Sequence, residues 1–266
     1  MSDILASILQ QKQVEVAQLN SAELRKLAFA SPPPQADFYA SIRRANHLTP
    51  VRLIAELKRA SPSKGLLAPH VDLITIGSQY QANGASAISV LTDEQFFKGS
   101  LQTLAGLRSA GISIPLLRKD FIIDDTQLYQ TRLYGASAVL LIVAALPEGQ
   151  LKALHATALE LGLTPLVEVH DEGELEVALS ISGLRALGVN NRNLRTFEVN
   201  LQTTLRLLPA IPKDVASVAE SGIFGVADVV QLAQAGIDAI LVGEGIITSA
   251  DIPAKVRELS TVAGQP

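Results

Sequence analysis

The sequence predicts an α/β fold, a (β/α)8 TIM barrel with an N-terminal helical extension, from three observations. Glycines recur about every 25 residues, and each one follows a helix-like stretch and precedes an apolar run. Glycine favours the left-handed conformation just past a helix end, so the repeating unit is helix, glycine and buried strand. Eight such strands fit a chain of 266 residues, and charged side chains gather at their carboxyl ends. The glycines of the repeat are Gly84, Gly111, Gly135, Gly162, Gly183 and Gly236. An open doubly wound sheet is the structural alternative, but the chain has no glycine-rich dinucleotide turn.

Three helices are predicted before the barrel. Residues Asp3–Leu19 carry apolar side chains at helical spacing, with Gln and Lys between them. Ser21–Phe29 ends before three consecutive prolines, and Asp37–Asn46 leads into the first strand. We expect residues 1–48 to form a helical extension packed on a barrel at residues 49–266, the two making one structural domain.

The first barrel strand is predicted at Val51–Leu57, which is rich in branched aliphatic residues. Glu56 and Lys58 stand at its end, two residues apart, so their side chains point to the same side of the sheet. A carboxylate and an ammonium can meet there, and an ion pair without a catalytic role is the alternative for this pair. The other seven strands are predicted in the apolar runs after the six glycines and at Val215–Ala219.

Composition excludes several classes of function. A net charge of −4 leaves no broad basic surface for nucleic acid or an anionic membrane. The absence of cysteine excludes disulfides, thiolate metal sites and a cysteine nucleophile. The four histidines are not spaced for a metal, and no metal or cofactor is expected. Residues 1–20 do not have the pattern of a signal peptide, and no apolar run is long enough to span a membrane. We therefore expect a cytoplasmic protein.

Polar residues end seven of the eight predicted strands. Burying several charges at one rim lowers stability. Their presence there therefore indicates a functional cluster. Lys119 is followed by Phe121 and Ile122, so we expect apolar surroundings that lower its pKa, although a solvated loop charge is the alternative. Glycine turns after the last two strands predict a phosphate site, and therefore a small phosphorylated substrate. The polar strand ends include Glu56, Lys58, Thr92, Lys119, Glu168, His170, Asn190, Arg192, Glu220, Ser221 and Glu244.

Five ordered blocks of the chain resemble the indole-3-glycerol-phosphate synthase family. They are IAELKRASPSKG, LRKDFIID, LVEVHD, GVNNRNL and VAESGI, which together cover nearly the whole barrel. The N-terminal helices resemble that family's extension. The resemblance implies a lyase of tryptophan biosynthesis that acts without a cofactor. Its substrate would be 1-(2-carboxyphenylamino)-1-deoxyribulose 5-phosphate, closed to indole-3-glycerol phosphate with loss of carbon dioxide and water.

The resemblance also implies roles for individual residues. Lys119 would donate a proton to the substrate ketone, and Lys58 with Glu56 and Glu168 would serve the later dehydration, with Lys58 also holding negative charge on the substrate. The division of acid and base roles among these four residues stays open. Asn190 and Ser221 match positioning residues that complete the catalytic set. The implied substrate-binding residues are Ser61, Arg192 at the benzoate carboxylate, Gly222, Gly243 and Glu244 at the phosphate, and Phe97, Phe121, Leu140 and Leu194 at the aromatic ring.

Two other functions compete with this one. Phosphoribosylanthranilate isomerase is also a phosphate-binding barrel, but that family's acid–base pair contains a cysteine, which this chain lacks. A phosphometabolite-binding barrel without catalysis would be expected to have lost its acid and base residues, which are present here. A monomer is expected, and a homodimer is left open.

Overall fold

Eight parallel strands close into a barrel in the computed structural model of the protein, which describes residues 4–61, 65–68, 71–193 and 198–264. Each strand pairs with its neighbours in sequence, and the last pairs with the first, which confirms the predicted fold. In chain order the strands are Arg52–Leu57, Ala87–Leu91, Leu116–Lys119, Ala138–Ile142, Thr164–Val169, Ala186–Asn190, Ala216–Glu220 and Ala239–Val242.

Helices surround the barrel and precede it. All six glycines of the repeat have positive φ, between 71° and 101°, as predicted for residues just past a helix end. The helices that precede the barrel are α1 (Ile4–Val16), α2 (Ser21–Ala30) and α3 (Phe38–Ile42). Those that follow strands are α4 (Leu73–Ala82), α5 (Leu101–Ser109), α6 (Asp125–Leu133), α7 (Glu148–Glu160), α8 (Glu172–Leu179), α9 (Gln202–Leu207), α10 (Val226–Ala235), the short α11 (Glu244–Ile247) and α12 (Ile252–Ser260). No helix within the described ranges is long and apolar enough to cross a membrane.

Two helices end earlier than predicted. Helix α1 ends at Val16 rather than Leu19. The third helix ends at Ile42 rather than Asn46, because Arg43 is extended and the backbone N–H of Arg44 donates to Asp238 instead of continuing the helix. The segment after Lys58 contains a small antiparallel ribbon that pairs Ala60–Ser61 with Gly65–Leu66.

The barrel interior is filled by small and branched apolar side chains. Because side chains alternate along a strand, residues of one parity in each strand point inward. Phe38 and Ile42 of α3 are fully buried against this interior cluster, and Tyr39 donates a hydrogen bond to the carbonyl of Asp214, just before the seventh strand. Helix α3 therefore packs at the amino-terminal ends of the strands and leaves the carboxyl-terminal ends for the site.

Candidate active site

Interior rows of side chains change from apolar to charged at the carboxyl ends of four strands. Glu56, Lys119, Glu168 and Glu220 each lie two residues beyond an apolar member of the interior cluster. The same parity therefore points all four into the barrel mouth. They line one pocket together with Asn190 at the end of the sixth strand.

Lys119 lies at the centre of this group. Its Nζ is 3.2 Å from Glu168 Oε2 and 3.3 Å from Glu220 Oε2. Burial alone lowers the pKa of this ammonium, but the charges of Glu168, Glu220 and Glu56 outweigh it and raise the pKa above the ordinary value. The predicted lowering of the Lys119 pKa is therefore wrong. Phe121 is a neighbour along the chain, whereas the carboxylates that decide the protonation state come from other strands.

Glu220 was predicted as a polar strand end, but neither the strand pattern nor the family resemblance gave it a role in the site. Its side chain is 1% exposed, and neither carboxylate oxygen accepts a hydrogen bond from another described residue. Burial and the charges of Glu168 and Glu56 raise its pKa to about 8 against the lowering effect of Lys119. A Cβ atom on Gly188 would overlap Glu220 Oε1, so a glycine in the sixth strand makes room for this side chain. Strand parity was the signal that could have identified it.

Glu168 is surrounded by positive and hydrogen-bonding groups. Its Oε1 lies 3.4 Å from His170 Nε2, and the Asn190 amide hydrogen-bonds to the carboxylate. Burial raises the pKa of Glu168, but Lys119, His170 and Asn190 together lower it below the ordinary value. Glu168 is thus held ionised.

Glu56 and Lys58 meet at the mouth of the pocket. Lys58 Nζ lies 3.5 Å from Glu56 Oε1, although the strand ends at Leu57. The Glu56 carboxylate packs closely on the eighth strand, where a Cβ on Gly243 would lie 2.5 Å from its Oε1. The second ammonium of the site is therefore held beside a carboxylate that also faces Lys119.

The turn after the seventh strand has an unusual backbone. Ser221 adopts φ of 65° and Gly222 φ of 78°, so two consecutive residues are left-handed. Buried Asn191 supports the turn, because its Nδ2 donates to the carbonyl oxygens of Glu220 and Ser221. Sequence reasoning assigned no role to Asn191. Ser221 and the three residues expected at a phosphate line the same pocket, namely Gly222, Gly243 and Glu244.

Another part of the pocket lining, the aromatic wall, is formed by apolar and aromatic side chains. The rings of Phe97 and Phe121 are 6.0 Å apart and inclined by 37°, and Leu140 lies deeper in the barrel. Arg192 also lines the pocket, and its backbone N–H donates to Asn190 Oδ1. Leu194 lies outside the described residues, and of Ser61 only the backbone, paired with Gly65, is described. Helix α1 adds three residues to the pocket lining that the sequence did not suggest, Ile4, Leu5 and Ile8.

The arrangement suits proton transfer to and from a substrate that carries an aromatic ring. One wall holds an ammonium among three carboxylates, which provides a proton donor and proton acceptors within a few ångströms. The other wall provides apolar surface. Within the described residues, no group of three metal-ligating side chains is close enough to hold a metal ion.

Comparison with known proteins adds an independent finding. The profile described as indole-3-glycerol phosphate synthase matches residues 5–259. Proteins named indole-3-glycerol phosphate synthase from Roseiflexus sp. (strain RS-1) and Neisseria meningitidis serogroup B (strain MC58) are each 48% identical to this chain. The alignments cover 97% of this chain in both cases, and 98% and 100% of the two relatives.

Solved structures support the fold alone. The 3-hexulose-6-phosphate synthase of Salmonella typhimurium superimposes with a TM-score of 0.64 at 15% identity, covering 79% of this chain and 97% of that one. A thiamine phosphate pyrophosphorylase from Pyrococcus furiosus gives 0.59 at 17% identity, covering 80% of this chain and 94% of that one.

Proposed function

The chain belongs to the indole-3-glycerol phosphate synthase family, and we propose that Lys119 and the carboxylates around it carry out that family's reaction. The enzyme is a carboxy-lyase of tryptophan biosynthesis. It converts 1-(2-carboxyphenylamino)-1-deoxyribulose 5-phosphate to indole-3-glycerol phosphate, carbon dioxide and water. The observation that carries the assignment of roles is the Lys119 ammonium, held within 3.3 Å of two buried carboxylates at the end of the barrel.

Ring closure requires an acid at the substrate ketone. The ring carbon that bears the carboxylate attacks the ketone carbon, and the ketone oxygen takes a proton as the new bond forms. Lys119 is the donor in this proposal, because its raised pKa keeps it protonated in the free enzyme. The substrate ketone then competes with Glu168 and Glu220 for the same N–H groups.

Decarboxylation and dehydration then take place in the same pocket. Loss of carbon dioxide returns its electron pair to the ring and restores aromaticity. The new hydroxyl then leaves as water, taking a proton from an ammonium, while a carboxylate removes the proton from the adjacent carbon to form the indole double bond. Lys58, 3.5 Å from Glu56, supports the role of acid in this step, and Glu168, held ionised, supports the role of base.

Substrate binding is proposed to use the two walls of the pocket. The ring would lie against Phe97, Phe121 and Leu140, with its carboxylate facing Arg192. The phosphate would lie at the opposite side, at the glycine turns that follow the last two strands. Here the Glu244 backbone contributes, and its side chain has to turn away from the phosphate. Asn190 and Ser221 are proposed as polar positioning residues. Ser61 and Leu194 remain predicted substrate contacts.

The helical extension is proposed to form one domain with the barrel. Phe38 and Ile42 pack into the barrel interior from below, and Ile8 of α1 lines the pocket from above. A phosphorylated metabolite as substrate supports a cytoplasmic location. A monomer stays our prediction.

The decisive experiment is to mix the purified protein with the carboxyphenylamino sugar phosphate and follow indole fluorescence. We expect fluorescence to rise at a rate proportional to enzyme concentration, with release of one carbon dioxide per product. Binding of the substrate without any product would favour the non-catalytic alternative and contradict the proposal.

A further inference from the structure

Helix α1 contains a buried lysine whose environment is unusual for a surface helix. The Lys12 side chain is only 2% exposed, and lysine is almost never fully buried unless it is paired. Its Nζ lies 2.8 Å from Asp93 Oδ2 and 3.1 Å from Asp120 Oδ1, with Glu15 of the same helix at 2.9 Å. Asp93 follows the second strand and Asp120 follows the third, so one ammonium joins α1 to two loops of the active-site rim.

The charges around Lys12 balance only when it is present. Asp93 and Asp120 are both almost fully buried, and Arg118 contributes the other positive charge, 2.9 Å from Asp120 Oδ2. Glu15 lies at the edge with its side chain 39% exposed. Loss of Lys12 would leave one buried carboxylate charge uncompensated, a costly arrangement.

Both aspartates also hold the backbone of a phenylalanine that lines the pocket. Asp93 Oδ1 accepts from the backbone N–H groups of Phe96 and Phe97, at 2.7 and 3.0 Å. Asp120 Oδ1 accepts from the N–H of Phe121 at 2.8 Å. Each carboxylate thus connects Lys12 to one of the two rings that stand 6.0 Å apart.

Lys12 also sets the position of apolar residues on its own helix. Ile4, Ile8 and Lys12 are spaced four apart, so they lie on one face of α1. Ile4 and Ile8 line the active-site pocket. The ion pairs of Lys12 therefore connect the helix face that lines the pocket to the two loops that carry Phe97 and Phe121.

We infer that Lys12 is a positioning residue for the aromatic end of the substrate, acting through Asp93 and Asp120 on Phe97 and Phe121. The inference rests on the proposed function, because it assumes that an aromatic ring occupies this wall. Lys12 does not touch the reacting atoms. Its loss is expected to weaken binding of the ring and to leave the phosphate end and the Lys119 cluster in place.

The test compares two ligands that share the phosphate and differ in the ring. Inhibition constants are measured for indole-3-glycerol phosphate and for inorganic phosphate, in the wild type and in Lys12→Met. We expect the variant to bind indole-3-glycerol phosphate about tenfold more weakly and phosphate within about twofold of the wild type. KM should rise more than kcat falls. The control is Glu15→Gln, which removes the exposed partner of Lys12 but keeps both aspartate contacts, and should resemble the wild type.

A second variant protects the test against loss of folding. Lys12→Met with Asp93→Asn removes one charge of each sign, and the asparagine oxygen can still accept from Phe96 and Phe97. It should show the same selective loss of indole-3-glycerol phosphate binding, with thermal unfolding as the check on the fold.

Three outcomes would overturn the inference. They are equal weakening of both ligands, wild-type binding of both ligands, and loss of the folded state in both variants, which would give Lys12 a structural role only. Turnover by the wild type separates this inference from the proposed function. An active wild type with a non-selective Lys12→Met variant overturns the inference alone, whereas an inactive wild type overturns the proposed function and this inference with it.

Discussion

The two ends of the barrel treat buried carboxylates in opposite ways. At the amino-terminal end, Asp238 Oδ2 accepts from the Ser217 backbone N–H at 3.0 Å and from Arg43 at 3.2 Å, and its Oδ1 accepts from the Arg44 N–H at 3.1 Å. At the carboxyl-terminal end, Glu220 has Lys119 as an ion-pair partner and accepts no hydrogen bond from any described residue. Buried polar groups are normally satisfied, so the first arrangement is typical of stability and the second of function.

The fold tolerates unfavourable electrostatics at the carboxyl-terminal end of the barrel. Glu168 and Glu220 approach the same ammonium from neighbouring parts of the rim, with Glu56 near enough to affect both Lys119 and Glu220. Like charges around one cation repel one another, and their protonation states become sensitive to what enters the pocket. At the amino-terminal end, the hydrogen bonds of Asp238 join the end of α3 to the seventh and eighth strands.

The largest effect is expected for Lys119, at the centre of the charged cluster at the carboxyl-terminal end of the barrel. Lys119→Met should lower kcat by at least about a hundredfold, because the proton donor to the ketone is lost, while substrate binding stays measurable. Steady-state kinetics by indole fluorescence measures both quantities. Lys152→Met is the matched control, since Lys152 pairs with Glu148 on the exposed side of α7. Turnover near the wild-type rate would remove Lys119 from the mechanism.

A substitution of Asp238, at the amino-terminal end of the barrel, should lower stability and leave activity almost unchanged. Asp238→Asn weakens the acceptor shared by Arg43 and Ser217, so we expect the free energy of unfolding to fall by about 2 kcal/mol. The value of kcat at a temperature where the variant is folded should change little. Denaturant unfolding and kinetics on the same sample check this. A selective loss of kcat without a loss of stability would break the distinction between the two ends.

A substitution at Gly188 can remove the space that Glu220 occupies without changing any charged residue. Gly188→Ala places a Cβ where Glu220 Oε1 now lies, so the carboxylate must move away from Lys119. We expect kcat to fall about tenfold, the size of a modest misplacement in an active site. Gly149→Ala is the control, because no atom lies near its added Cβ. If the Gly188 variant matches the Gly149 variant in kcat, the position of Glu220 does not matter for catalysis.

The smallest effect concerns pH and stability. The pKa of Glu220 is raised from 4.5 to about 8, so the folded protein holds a proton there that the unfolded chain releases above pH 4.5. The contribution of this group to stability is therefore present at low pH and is lost as the pH rises to about 8. Glu220→Gln should remove this loss, so that its stability relative to the wild type increases across that range. Urea unfolding at several pH values measures it, and a constant difference between the two proteins would contradict the raised pKa.

Much of the fold could be predicted because its signals are local. The helix, glycine and strand repeat is readable from neighbouring residues, and all six glycines adopt the expected left-handed conformation. Helix ends were less predictable. Helix α3 ends at Ile42 because the backbone N–H of Arg44 donates a hydrogen bond to Asp238, a residue 194 positions away in the chain.

The sequence predicted which residues form the candidate site better than it predicted their contacts and pKa values. Glu56, Lys119 and Glu168 were identified because they end strands, and a barrel brings strand ends together. Glu220 was named as a strand end on the same grounds, but it was given no role, although it has the same strand parity. Lys12 shares a helix face with Ile4 and Ile8, but the two aspartates that pair with it follow distant strands, so local spacing could not identify its role.

The family, the eight strands and the charged rim can be predicted from residue order and from periods of a few residues. The raised pKa of Lys119 and the burial of Lys12 between two aspartates arise only in the folded chain. Both depend on electrostatic energy, which is set by the distance between charges and by their burial. Lys119 and Glu168 are 49 residues apart in the chain, yet their charged atoms lie 3.2 Å apart in the barrel.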